Sequence, residues 1–177
     1  LLGVIVALAL YARQRRRPYF EVMDLIAPCV PLGLASGRVG NFINGELWGR
    51  AADPSLSWAM VFPQSGTAIA RHPSQLYEAA LEGLLLGLVL AAMAFRYDAL
   101  KRPGLITGAF FTIYGLSRCL VELVRQPDAQ FVTAENPLGL YLHLGGWGLT
   151  AGQLLSLPMI IAGLWVLARA RQTPPQA

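Results

Sequence analysis

Long apolar runs dominate this chain and leave it few ways to fold. They cover residues 1–12, 22–43, 73–95, 104–124 and 151–168, the third including the stretch LLLGLVLAAMAF. The last four are each long enough, allowing for tilt, to cross the roughly 30 Å hydrocarbon core of a bilayer. The first reaches only about 18 Å at 1.5 Å per residue. Only 14% of the 177 residues are charged and 55% are hydrophobic, whereas soluble domains carry about 25% charge. The expected fold is an all-α, polytopic helical membrane protein with about five transmembrane segments, forming one transmembrane domain over 1–177. Pro28 and Pro31 predict a kink or break in the second run.

The placement of charge orients these segments. Arg13, Arg15, Arg16 and Arg17 follow the first run, Arg96, Lys101 and Arg102 the third, and Arg169 and Arg171 the last. Alternating crossings put all of these on one side, which the positive-inside rule makes cytoplasmic. The opposite loops, 45–72 and 126–150, hold only Arg50 and Arg71. Both loops are rich in aromatic residues, Pro and Gly, which suit membrane interfaces and turns, and a small external cap is expected there. The net charge of +4 therefore sits on helix flanks, and no nucleic-acid partner is expected.

Cys29 and Cys119 lie in apolar runs and read as small buried hydrophobes. Their spacing suggests no metal, disulfide or cofactor. The chain opens apolar and only then turns basic, the reverse of a signal peptide, so it is expected to begin part-way along a membrane helix. The tail 172–177 is expected to be disordered.

An ionisable residue at membrane depth is costly and normally faces the protein interior. Three runs carry such residues at helical spacing. Tyr114, Arg118, Glu122 and Arg125 fall within about 80° of arc on a helix. An Arg118–Glu122 pair that only pins two helices is the plainer alternative. Gln75, Glu78 and Glu82 fall within about 60°, with Arg71 and His72 at the helix mouth, where His72 or Ser74 can serve as a cap. Arg38 and Asn41 share a face among Gly37, Gly40 and Gly45, with tight packing and an outward-snorkelling Arg38 as the alternative. Arg38, Arg118 and Arg125 together point to a positive pocket toward the outer leaflet. Guanidinium suits phosphate because its planar fork donates two parallel hydrogen bonds. The residues alone thus lead to a multi-pass protein that binds an anionic phospholipid among the membrane lipids, or another anion. They do not name a reaction.

The stretch GRVGNFINGELWG (37–49) resembles the signature of the bacterial prolipoprotein diacylglyceryl transferase family, Gly-Arg-x-Gly-Asn-Phe-hydrophobic-Asn-x-Glu-x-x-Gly. RHPSQLYEAALEG (71–83), YGLSRCLVELVRQPDAQ (114–130) and GQLLSLPMIIAG (152–163) resemble further family blocks in the same order, so the likeness covers essentially the whole chain. It implies a multi-pass enzyme of the bacterial inner membrane with its active site toward the outer leaflet. Such an enzyme moves the diacylglyceryl group of phosphatidylglycerol to the lipobox cysteine thiol of a prolipoprotein signal peptide, without a cofactor. The products are a thioether-linked lipid and glycerol phosphate.

By motif, Arg38, Asn41, Glu46 and Gly49 match functional positions of the family, as do Tyr114, Arg118 and Glu122. His72, Gln75, Tyr77 and Glu78 fall in a further block. The resemblance makes Arg38, Asn41, Tyr114, Arg118 and His72 catalytic candidates. Arg38, Asn41, Glu46, Gly49, Gln75, Glu78, Arg118, Glu122 and Arg125 are the candidates for substrate binding. Family members also carry a His-Gly-Gly stretch just ahead of the helix matching 1–12, and its histidine is a candidate base. That stretch is not in this sequence, and His72 is the nearest substitute. Two other classes compete. A transporter would favour broken helices in matching halves and an internal repeat, and no repeat is found. An intramembrane protease would need a partner histidine for Ser36, Ser117 or Ser156.

Overall fold

The computed structural model describes residues 2–127, 129–133, 136–144, 147–172 and 174. Its α-helices are α1 Leu2–Arg15, α2 Tyr19–Ile26, α3 Val30–Asn44, α4 Ser74–Glu78, α5 Leu86–Arg96, α6 Leu105–Val121 and α7 Ala151–Gln172. A 3₁₀ turn, Ala27–Cys29, joins α2 to α3, so Pro28 bends one long span rather than ending it. A π-helical segment, Ala79–Leu85, joins α4 to α5. The sequence pattern predicts plain α-helix there; π turns are rare and favour functional positions.

Tyr19–Asn44, Ser74–Arg96 and Ala151–Gln172 are long and apolar enough to cross a membrane. This is a helical membrane protein. Four runs were expected to be long enough to span, but α6 has only 17 residues. It stops at Val121, and the chain then turns toward Arg125. Leu32, Ile43, Phe95, Leu155 and Ile161 are each at least two-thirds exposed, an outer surface suited to hydrocarbon rather than water. Cys29 belongs to that surface. It is exposed, against the expectation of burial, because a thiol facing lipid needs no protein cover.

Leu86, Leu90, Ile106 and Ala109 form the buried core with Ala27 and Ala99. α6 and α7 are the most closely packed pair of helices. A Cβ built on Gly108 would lie 2.8 Å from the Leu167 nitrogen, and one on Gly163 would lie 2.5 Å from Thr112 Oγ1. Small residues let membrane helices approach this closely. Arg96, Lys101 and Arg102 flank the α5–α6 turn, and Arg169 and Arg171 end the antiparallel α7. One end of the bundle is therefore basic.

At that end Asp24 of α2, 1% exposed, accepts hydrogen bonds from the Gly104 and Thr107 backbone N–H groups, both at 2.7 Å, and from Thr107 Oγ1. It caps α6 from a different helix, with a negative charge at the positive end of the helix dipole. Asp24→Ala is expected to lower the unfolding free energy in mild detergent by about 3 kcal/mol, the scale of losing charged hydrogen bonds. An unchanged unfolding midpoint would show the cap to be dispensable.

The opposite end carries the two long loops, and these hold short hairpins that the sequence pattern does not reveal. β1 (Met60–Val61) pairs antiparallel with β2 (Ala70–Arg71), and β3 (Leu142–Leu144) with β4 (Trp147–Leu149). The loops touch where Arg50 Nη2 donates to the Leu138 carbonyl at 3.1 Å. In the first loop the Asp53 carboxylate accepts from both Ser55 Oγ and Ser55 N–H, which hold it below the usual carboxyl range. Apart from Gln172 and Pro174, the tail 172–177 lies outside the described residues.

Candidate functional site

The 37–49 stretch takes its shape from the way α3 ends. Gly45 adopts φ 66°, a left-handed conformation that a side chain resists. Any Cβ there would also collide with the Gln64 side chain. The reversal returns the Glu46 N–H to the Asn41 carbonyl at 3.0 Å, the bonding pattern of a glycine helix cap. It also folds the Glu46 carboxylate back, where Oε1 accepts from Asn41 Nδ2 at 2.8 Å and from Asn44 Nδ2 at 3.4 Å. Gln75 Nε2 then donates to the Glu46 carbonyl at 2.6 Å. Asn41, Glu46 and Gln75 thus form one continuous polar unit at the end of α3.

Three strands of backbone converge just beyond it. Gly49 N–H donates to the His72 carbonyl at 2.9 Å, Arg50 N–H to the Val124 carbonyl at 2.8 Å, and His72 N–H to the Arg50 carbonyl at 3.0 Å. A Cβ on Gly49 would stand 2.6 Å from the His72 oxygen and 2.7 Å from the Val124 oxygen. Gly49 therefore acts through close backbone approach, joining the 37–49, 71–83 and 114–130 blocks.

Beneath this junction lies a chain of ions. Arg38 Nε is 2.7 Å from Glu78 Oε2, and Arg118 Nη1 lies 3.4 Å from the same oxygen. Arg118 Nη2 is 3.0 Å from Glu122 Oε2, and Arg125 Nη1 is 3.8 Å from Glu122 Oε1. Glu82 Oε1 approaches Arg118 Nη1 at 3.9 Å, yet neither of its oxygens has a hydrogen-bond partner among the described residues. Glu78 and Glu82 are 1% and 0% exposed. Buried charges persist only when paired this way. The sequence pattern points to a positive pocket with Glu122 beside Arg118; the fold also brings Glu78 and Glu82 among Arg38, Arg118 and Arg125.

Arg118 faces two ways. Beyond the ion chain it lines a cavity of about 360 Å³ with Tyr114, Glu122 and Arg125. Leu155, Ser156 and Met159 of α7 form the facing wall, and Phe131 and Gly139 of the second loop also line it. Arg38 is not part of that lining and meets Arg118 only through Glu78. Tyr114 stacks on Phe110, with ring centroids 5.8 Å apart.

His72 stands apart from these ion pairs. Its Nδ1 is 3.4 Å from the Tyr77 hydroxyl, which accepts from Trp58 Nε1 at 2.8 Å. Neither His72 nor Ser74 caps α4. Pro73 holds that position, and Ser74 Oγ donates to the Leu47 carbonyl at 3.2 Å. Among the described residues no group of His, Cys, Asp and Glu is arranged to hold a metal ion. The Ala79–Leu85 π segment escapes a reading of motifs because no local pattern marks it, and the part played by Gly152, which opens the 152–163 block, shows only in the fold. A Cβ on Gly152 would press on the Glu122 carboxyl carbon at 2.6 Å.

The family model for prolipoprotein diacylglyceryl transferase matches residues 1–169. A phosphatidylglycerol–prolipoprotein diacylglyceryl transferase of Ruegeria pomeroyi is 57% identical over 98% of this chain and 61% of its own length. Proteins of the same name from Methylibium petroleiphilum and Roseobacter denitrificans are 56% and 52% identical, each over 97% of this chain and 60% of their own length. The chain thus spans about three-fifths of the curated relatives it matches. Since the matched region takes in the α3 cap, the backbone junction and the whole ion chain, the chain belongs to the prolipoprotein diacylglyceryl transferase family.

Proposed function

We propose that the protein to which this chain belongs transfers the diacylglyceryl group of phosphatidylglycerol to the lipobox cysteine of a prolipoprotein. The reaction would take place in the bacterial inner membrane, with the loop end of the bundle toward the outer leaflet. The observation that carries this reading is the convergence of Arg38 and Arg118, from separate helices, on the single oxygen Glu78 Oε2. An anionic oxygen already sits between two guanidinium groups there, and a lipid phosphate has the same need.

In the reaction the cysteine sulfur attacks the glycerol carbon that bears the phosphate. The S–C bond forms as the C–O bond to phosphate breaks, and the thiol proton balances the charge of the departing glycerol phosphate. Negative charge grows on the leaving oxygens, where Arg118 and Arg38 stabilise it in a site of low dielectric. A thiol with a pKa of about 8.5 is more easily deprotonated beside such cations. Asn41, held by Glu46, orients the headgroup. Glu122 fixes the Arg118 fork, and Gly49 holds the three blocks in register. Tyr114 and Arg125 complete the polar wall of the cavity, Gln75 steadies the turn at Glu46, and His72 is part of the backbone junction.

The test is transfer from labelled phosphatidylglycerol to a lipobox peptide by the full-length protein. Asn41→Ala is expected to lower the rate about a hundredfold, the scale of losing one positioned hydrogen-bond donor, while the protein still enters the membrane. Unchanged turnover in that variant removes Asn41 from the site. Lipid uptake without any thioether product would favour the transporter reading instead.

A further inference from the structure

A second cavity, of about 480 Å³, opens at the end of α6 away from Arg118. Arg102 and Arg171 line it where α6 begins and α7 ends, and Met93, Leu105, Ala109, Ile113 and Leu167, with Thr112, supply a mostly apolar wall from α5, α6 and α7. The charge is confined to one end. From Leu105 to Ile113 the wall runs about 12 Å along α6, close to the roughly 15 Å of hydrocarbon in one leaflet. The volume also falls within the range of about 300–1,000 Å³ typical of small-ligand sites.

Two neighbouring cations are engaged elsewhere. Lys101 pairs with Asp98 at 3.2 Å, and Arg169 sits over the Trp165 ring, 5.5 Å from its centroid. Arg102 and Arg171 have no carboxylate partner among the described residues. A basic rim above an apolar trough matches a molecule with a negative head and a hydrocarbon tail, and cations beside a bilayer attract anionic lipid.

We propose that this groove holds an anionic phospholipid of the leaflet on the basic side, with its phosphate at Arg102 and Arg171 and one acyl chain along α6. The site is separate from the Arg38–Arg118 cluster and does not depend on the transfer reaction.

The probes are phosphatidylserine and phosphatidylcholine, each with a diazirine on one acyl chain, photolysed with full-length protein in nanodiscs and mapped by peptide mass spectrometry. Phosphatidylserine is expected to label peptides carrying 105–113 and 167 at least tenfold more than phosphatidylcholine does. Arg102→Ala/Arg171→Ala should remove that excess, and Met93→Trp, at a partly buried wall position, should lower labelling by filling the trough. Both variants should keep the parent's transfer rate, which verifies their fold. Equal labelling by the two lipids would reduce the feature to an apolar surface and overturn the proposal. So would absence of label, which would mean that another segment of protein covers the groove.

Discussion

Arg118→Ala in the full-length protein is expected to lower diacylglyceryl transfer by about 10²–10³-fold, the scale of removing one preorganised donor from a developing anion. Arg118 is the member of the ion chain that touches all three carboxylates, Glu78, Glu82 and Glu122. Its loss therefore acts twice. On the proposed mechanism the lipid phosphate loses its α6 guanidinium, and three buried carboxylates lose their shared counter-charge, at a cost of about 3–5 kcal/mol in stability. Turnover per folded molecule, read beside the unfolding midpoint, separates the two effects. Arg118→Lys should recover part of the stability and little of the rate, because an ammonium group cannot reproduce the planar fork. A rate within about twofold of the parent for Arg118→Ala, on the scale set by one lost donor, would sink the phosphate clamp.

Gly163→Leu should damage the protein as severely, through packing alone. The Cβ position at Gly163 lies 2.5 Å from Thr112 Oγ1, 2.7 Å from the Thr112 nitrogen and 2.9 Å from the Gly108 oxygen. Two of these are backbone atoms, so neither rotamer change nor local repacking makes room. α7 must move away from α6, and overpacking in a rigid core typically costs about 1–3 kcal/mol or more. The same displacement would widen the cavity between Arg118 and α7. Gly163→Leu is expected to fall out of solution on detergent extraction or to unfold well below the parent, with Gly163→Ala intermediate. A Gly163→Leu protein as heat-stable as the parent would show that the two helices are not locked together here.

Much of this was readable in the residues. Hydropathy located the spans, Pro28 marked the bend, and helical spacing grouped Tyr114, Arg118 and Glu122 with Arg125, all of which line one cavity. The family blocks marked Arg38 and Asn41. Other features stayed hidden because they depend on three-dimensional neighbours. No pattern along 73–95 announces a π turn. Nothing near Gly104 shows that the cap of α6 comes from Asp24, eighty positions earlier. Helical spacing sets Glu122 beside Arg118, but it does not say that Glu78 of another helix stands between Arg38 and Arg118. Gly49 matched a functional position, but only the geometry shows that it works through backbone crowding.

The junction at Gly49 also bears on when the site comes into being. Its hydrogen bonds join residues 49–50, 72 and 124, contacts of long sequence separation whose loops must close before the bonds reward them. During synthesis the 37–49 stretch is made long before its partner carbonyl on Val124 exists. Arg38 and Glu78 can meet once the 71–83 block is in place, but Arg118 joins them only after α6 has been inserted. The proposed phosphate clamp is therefore assembled late: a chain stopped before Arg118 has neither the junction nor the second guanidinium, and one stopped between Arg118 and Val124 still lacks the junction.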